Sequence, residues 1–178
     1  MLLSKSINFD QDVYDALRQK YSVFAKDIGD QGSFKKIILG DELTNLGNSI
    51  IKPISLISSK THQIKSAILF GQSVGHIMEI HVDGFNLNRK DASNWALNLP
   101  IVGTGNMFWY DGKYELSEHV GQQKLKYLKL NWHDEPKEIY QTIIDSPSIV
   151  RIDLPHRVIN ISSEPRLLLS IRFTPDIY

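Results

Sequence analysis

The chain has 178 residues, the length of one average domain and too short for two full domains with a linker. Hydrophobic residues make up 42% and charged residues 22%, a balance that excludes wholesale disorder. Twenty Lys and Arg against twenty Asp and Glu leave no net charge to draw the chain toward nucleic acid or an anionic membrane, and the absence of cysteine excludes disulfide scaffolds, zinc fingers, iron–sulfur clusters and thiol nucleophiles.

The first third reads as helical. Asp10 and Asp12 precede Val13, Tyr14, Leu17, Tyr21 and Phe24 at spacings of three and four, with Arg18 and Lys20 later, which predicts an amphipathic helix aligned with its dipole. Gly29 to Gly32 predicts a turn and residues 34–39 a short strand. A second helix is expected over 41–51, with Leu43, Leu46 and Ile50 on one face and Pro53 ending or kinking it. After residue 62 the pattern changes to short β segments separated by Gly, Pro, Asn and Asp. Strands are expected at about 64–71, 76–83, 95–101, 106–110, 125–132, 148–154, 156–161 and 166–173. No 10-residue helical pattern separates them, which disfavours parallel β-α-β units and suits a sandwich or jelly roll. The predicted organisation is one domain over 1–178, a helical flank over about 1–60 and a β core over about 62–174. The N-terminus lacks a signal-like apolar run, and no stretch approaches the ~20 apolar residues of a membrane span. The expectation is a soluble cytoplasmic protein with no membrane partner; the sequence specifies no oligomeric state.

Three segments carry polar residues where a strand pattern predicts burial. In Gly75-His-Ile-Met-Glu-Ile-His81-Val-Asp83-Gly84, alternation puts Met78, Ile80 and Val82 on one face, expected to pack beneath the N-terminal helices. Ile77, Glu79, His81 and Asp83 take the other face. Burying an imidazole and carboxylates needs compensation, and a divalent metal provides it. Glu79 is expected either to hydrogen-bond a ligand imidazole or to line a polar cavity. A second His-x-acid triplet, His133-Asp-Glu135, precedes Pro136 and reads as a solvated loop. His76 has the parity opposite to His81 and reads as structural; His62 and His119 read as exposed. His156 follows Pro155 and shares a strand face with Val158 and Asn160. In Pro165-Arg166-Leu-Leu-Leu-Ser170-Ile-Arg172-Phe173, Leu167, Leu169, Ile171 and Phe173 face one way. Arg166, Leu168, Ser170 and Arg172 face the other. Two inward arginines on an apolar strand call for an anionic partner, such as a carboxylate held by a guanidinium.

The order His81-x-Asp83, then His156, then Arg166 ten residues on, resembles the iron(II)- and 2-oxoglutarate-dependent oxygenases. The phrases HVDG, ALNLPI, PHRVIN and PRLLLSIRF stand in the order of that family's strands, over about residues 62–174. Nearest in pattern are the prolyl-, aspartyl/asparaginyl- and phytanoyl-hydroxylase-like members. The last strand lacks the Arg-x-Ser of the penicillin-synthase-like subgroup. The resemblance implies a mainly β, cupin-like double-stranded β-helix with flanking N-terminal helices. It implies Fe(II) held by His81, Asp83 and His156, a facial triad with open positions for 2-oxoglutarate and oxygen. It also implies that Arg166 holds the far carboxylate of the cofactor, with Arg172 as the alternative. Asn98, on the face shared with Ala96 and Pro100, and the Tyr110 hydroxyl are further candidate cofactor contacts, although Tyr110 also reads as core packing. The implied activity is hydroxylation of an amino acid, a peptidyl side chain or a small metabolite. The neutral charge disfavours a nucleic-acid substrate. Loops 84–94 and 111–124 are expected to flank the site mouth. Two rival readings of such a fold are a non-catalytic jelly-roll binding protein and a cupin-like metalloenzyme without 2-oxoglutarate.

Overall fold

A computed structural model describes residues 1–28, 32–83, 87, 92–120 and 126–178. Helix α1, Gln11–Ser22, starts where the Asp10 carboxylate accepts the Val13 N–H at 3.1 Å, satisfying one of the first-turn donors that a helix leaves unpaired. Its buried face is Tyr14, Leu17 and Tyr21, and a 3-10 turn follows over Val23–Asp27. Helix α2 runs over Gly40–Ser55. Pro53 lies inside it and does not end it at 51: Leu46, Ile50, Pro53 and Ile54 form its buried face, and this packing carries the helix through its last turn.

Twelve strands form among the described residues: β1 Ser4–Ser6, β2 Ser33–Ile38, β3 Gln63–Gln72, β4 His81–Val82, β5 Trp95–Val102, β6 Gly105–Asp111, β7 Tyr114–Val120, β8 Lys126–Trp132, β9 Lys137–Ile144, β10 Ser148–Arg151, β11 His156–Asn160 and β12 Arg166–Thr174. They make two antiparallel six-stranded sheets, one ordered β1-β10-β5-β12-β3-β2, the other β7-β8-β4-β11-β6-β9. The chain changes sheet at each step from β3 to β6, stays in the second sheet through β9, and changes again at β10, β11 and β12. That is the connectivity of a jelly roll. The fold is mainly β, as the sequence predicts.

Three corrections to the predicted elements follow. Residues 4–6 form an unexpected strand, β1, at one edge of the first sheet, while β2 at the other edge matches the strand expected over 34–39. Residues 76–83 do not form one long strand: only His81–Val82 joins a ladder, with one bridge between Ile77 and Ile159. Strands β7 and β9 are additional. Residues 29–31, most of 84–91 and 121–125, which fall in the predicted turn and mouth loops, lie outside the described residues, and 114–120 of the second predicted loop is strand β7.

The side chains separate into layers. On the outer side of the first sheet, Trp95, Leu97, Leu99, Ile101, Leu167, Leu169, Ile171 and Phe173 pack against α1 and α2. Truncating one of these, such as Leu169→Ala, costs ~2–5 kcal/mol. Between the sheets, Leu3, Ala96, Val150 and Leu168 meet Met107, Trp109, Ile144 and Val158. Val82 belongs to neither layer and packs with Leu128 and Leu130 of β8. The apolar face of the 76–83 segment is therefore not beneath the helices, because β4 joins the second sheet and the helices cover the first.

Candidate metal centre

Strand β4 is only two residues long, but its place between β8 and β11 sets the site. His81 is the register partner of His156, so both imidazoles stand on one face of the second sheet with ring centroids 4.4 Å apart. The Asp83 N–H donates to the Ile152 carbonyl at 3.0 Å, which ties the end of β4 to the segment after β10 in the other sheet. Asp83 is thereby fixed beside both histidines. Nitrogen and carboxylate atoms of His81, Asp83 and His156 lie within 4.8 Å of one another.

The tautomers follow from backbone contacts. His81 Nδ1 lies 2.9 Å from the Glu79 carbonyl and His156 Nδ1 lies 2.8 Å from the Leu154 carbonyl. A carbonyl only accepts, so each Nδ1 carries a proton, and in the neutral tautomer it is Nε2 that has the lone pair. Both Nε2 atoms face the same Asp83 oxygen, Oδ1, at 3.7 and 3.9 Å. Ligand atoms each ~2.1 Å from one ion stand about 3.0–3.4 Å apart, so the cluster needs to close only slightly around a metal. Backbone orientation of the imidazoles is the support that metal-binding histidines use.

The protonation states also suit a cation. Burial, then the neighbouring His81, pushes the His156 imidazole down to about 4 against the pull of Asp83, so it is neutral at physiological pH. Burial alone raises the Asp83 carboxyl, but Arg172 and the two imidazoles outweigh burial and hold it well below the usual carboxylate range. Arg172 donates from Nη2 to Asp83 Oδ2. The two carboxylate oxygens are thus divided: Oδ2 is held by the guanidinium and Oδ1 is turned toward the imidazoles.

Arg166 occupies the other end of the inner face of β12. It is 2% exposed and donates from Nη1 to the Gln72 carboxamide oxygen at 2.7 Å. Nη2 is buried with no hydrogen-bond partner among the described residues. No carboxylate among the described residues neutralises it, and burial pushes its guanidinium down to about 10. The side chain crosses the backbone of Gly105, where a β-carbon would collide with it. Asn160, two residues from the inward Val158, donates from Nδ2 to the carbonyls of Gln72, Ser73 and Glu164 and locks the turn into β12. Gln72 and Gly105 were not singled out in the sequence. The inward parity of Gln72 on a strand was its only signal, and a lone glycine carries none.

The remaining candidates divide. Asn98 is buried on the inner face and its Oδ1 accepts the Ser170 hydroxyl at 2.7 Å, so a side chain already satisfies this acceptor. Tyr110 does not point between the sheets. Trp109 fills that space, and strand alternation turns Tyr110 to the outer face, where the Arg157 guanidinium lies 5.3 Å from its ring. The Glu79 side chain is exposed, and its backbone carbonyl, not its carboxylate, orients His81. His62 is buried, not exposed: it bridges the Pro175 carbonyl at 2.9 Å and the Ser58 hydroxyl at 2.7 Å, clasping the end of α2 to the C-terminal segment. His133 sits at the exposed edge, 3.5 Å from Glu115.

Fold and site together define a jelly-roll protein with a candidate His-Asp-His metal centre. No protein-family model matches the chain, and no curated protein matches it. Among solved structures it is similar to the viral collagen prolyl hydroxylase vCPH of Paramecium bursaria Chlorella virus-1, determined as a 2OG complex, at 13% identity and a TM-score of 0.48, covering 96% of this chain and 94% of that one. It is also similar to E. coli ycfD at 10% identity and a TM-score of 0.45, over 79% of this chain and 33% of that one. Oxalate decarboxylase from Bacillus subtilis matches at 16% identity and a TM-score of 0.38, over 81% of this chain and 26% of that one. The chain therefore spans only a third and about a quarter of the last two. Likenesses this distant carry no argument, and both the fold and the chemistry are argued from the strand topology and the residues. No described helix is long and apolar enough to cross a membrane.

Proposed function

We propose that this protein is an Fe(II)- and 2-oxoglutarate-dependent oxygenase that hydroxylates an amino acid, a peptidyl side chain or a small metabolite. The observation that carries the reading is a pair. A His-Asp-His cluster with its ligand atoms within 4.8 Å of one another lies on the inner face of one sheet. A buried arginine without an acidic partner among the described residues lies on the inner face of the other. Two imidazoles and one carboxylate suit a first-row divalent ion and leave positions open for further ligands. A buried guanidinium with an unused N–H suits the far carboxylate of a dicarboxylate cofactor.

Bound there, iron and 2-oxoglutarate would supply, with molecular oxygen, the hydroxylation of a substrate C–H bond, one oxygen atom going to the substrate and the other to the succinate formed with carbon dioxide. The chain's part is to place and protect them. His81 and His156 hold the metal through Nε2, their Nδ1 protons kept on backbone carbonyls. Asp83 holds it through Oδ1 while Arg172 retains Oδ2. Arg166 and Gln72 receive the far carboxylate. Leu168, Trp109 and Val158 supply an apolar wall that keeps water from the reacting groups. The unused N–H of Arg166 is what favours this reading over a cupin-like metalloenzyme, which has no use for a buried cation there.

The test is an anaerobic titration of Fe(II), followed by 2-oxoglutarate, and then oxygen. The expected result is stoichiometric iron, iron-dependent cofactor binding and succinate release. Iron binding without cofactor binding points to the cupin-like metalloenzyme, and absence of both leaves a binding protein.

A further inference from the structure

The two sheets end in four edge strands, β1 and β2 in the first and β7 and β9 in the second. An edge strand carries unpaired N–H and C=O groups that a further strand can take up, and soluble proteins blunt such edges with brevity or charge. β1 is three residues long and includes Lys5. β2 carries Lys35 and Lys36. β7 carries Glu115, Glu118 and His119. β9 is eight residues long, and its two charges, Lys137 and Glu138, both stand at its start. Past them, Ile139-Tyr-Gln-Thr-Ile-Ile144 has neither a charge nor a proline.

The unprotected run is also apolar and open. Ile139, Tyr140 and Ile143 are 41%, 42% and 52% exposed, on a strand whose outer edge no backbone hydrogen bond reaches among the described residues. A bulge at Ile139 interrupts the pairing with β6, and from Tyr140 to Ile144 the register is unbroken, so the edge is regular over most of its apolar length. The run is self-complementary. Antiparallel pairing of two copies about a two-fold axis at Gln141 opposes Ile139 with Ile143 and Tyr140 with Thr142. Opposed positions then have equal parity, which keeps each side chain on its own face of the sheet. The same register brings Lys137 of one copy opposite the exposed Asp145 of the other, an opposite-charge pair at each end of the ladder. Two-fold symmetry makes every such contact twice.

We propose that β9 is a dimer interface, and that its occupant is the β9 of a second copy of this chain, paired antiparallel about Gln141. The two second sheets, six strands each, then become one continuous sheet. β6 and β11 stand between β9 and β4, so the pairing leaves the His81–Asp83–His156 cluster untouched and does not depend on the oxygenase reading.

The test is sedimentation of the full chain, with cross-linking of single-cysteine variants. Wild type should sediment as a dimer at about 100 µM and shift toward monomer on dilution. Ile143→Lys should be monomeric at the same concentration with an unchanged urea midpoint, since Ile143 is half exposed in one copy. Opposed antiparallel Cα atoms stand about 4.5–5.5 Å apart, within reach of a disulfide. The chain has no cysteine of its own, so Gln141→Cys should form covalent dimers under mild oxidation or with a short bifunctional thiol reagent, at least about tenfold faster than Glu115→Cys on the β7 edge. A monomeric wild type at about 100 µM overturns the proposal. So does a dimer that persists in folded Ile143→Lys, or one whose Gln141→Cys variant cross-links no faster than Glu115→Cys. If Ile143→Lys fails to fold, the cross-linking comparison decides alone.

Discussion

At one end of the inner face of β12, Arg172 holds Asp83 beside two imidazoles. At the other end, Arg166 is buried against the neutral carboxamide of Gln72. The two arginines share a strand, a face and a depth. Among the described residues, only the first has its charge compensated by a carboxylate. A buried cation left uncompensated costs stability, and its retention makes sense when a ligand supplies the missing anion. On the oxygenase reading, the Arg172 end would be organised around a metal and the Arg166 end around a carboxylate. Six residues of strand, about 20 Å, keep one small ligand from engaging both in the same way.

The largest test of this contrast is at the metal end. His81→Ala should lower Fe(II) affinity by at least ~100-fold in an anaerobic titration, while His133→Ala leaves it unchanged. Unchanged iron binding in both variants would dissolve the metal end altogether.

Next comes the cofactor end. Arg166→Leu should weaken 2-oxoglutarate ~100-fold or more in the iron-loaded protein and should not lower the urea midpoint, because it removes a buried unpaired charge. Gly105→Ala, which pushes the Arg166 side chain aside, should weaken the cofactor in the same sense with iron binding intact. A large loss on Arg172→Leu and none on Arg166→Leu would invert the comparison.

The metal end also predicts a pH dependence of the apo-protein. The folded His156 value, about 4, lies below its ordinary value of about 6.5. The unfolded chain therefore takes up the proton first. The contribution is fully present above about pH 6.5 and is lost as pH falls toward 4, up to a few kcal/mol. Urea midpoints measured between pH 7 and 4.5 should fall, and His156→Gln should flatten that slope.

A smaller effect separates the two roles of Arg172. Without its guanidinium, burial raises the Asp83 carboxyl, so a proton competes with the metal. Arg172→Leu should lose about tenfold more metal affinity at pH 6 than at pH 8, where wild type shows no such Asp83 contribution. The smallest effect is at Tyr110, which faces outward: Tyr110→Phe should change 2-oxoglutarate affinity less than about twofold.

Alternation alone placed Arg166, Leu168, Ser170 and Arg172 on one face of β12 and Leu167 to Phe173 on the other, because a strand buried on both sides still has a period of two. The same rule placed His156 with Val158 and Asn160. It overreached at residues 76–83. There Gly75 adopts a φ of 69° and the chain reaches the ladder only at His81, so an alternating sequence produced a two-residue strand. It also missed β9. Lys137-Glu-Ile-Tyr-Gln-Thr-Ile-Ile144 is a sheet edge exposed over most of its length, and solvent on both sides erases the pattern. Composition, the helical first third, the β-rich remainder and the His-x-Asp, His and Arg order were properties of the sequence itself. Tertiary structure decided which sheet each strand joined, and with it the rest. It put Val82 against Leu128 instead of under a helix, turned Tyr110 outward behind Trp109, and buried His62 in a clasp. It also gave Arg172 to Asp83 while leaving Arg166 to Gln72. Parity along a strand is local, but the partner across the gap between two sheets is set by residues up to about ninety positions away, and no local pattern encodes it.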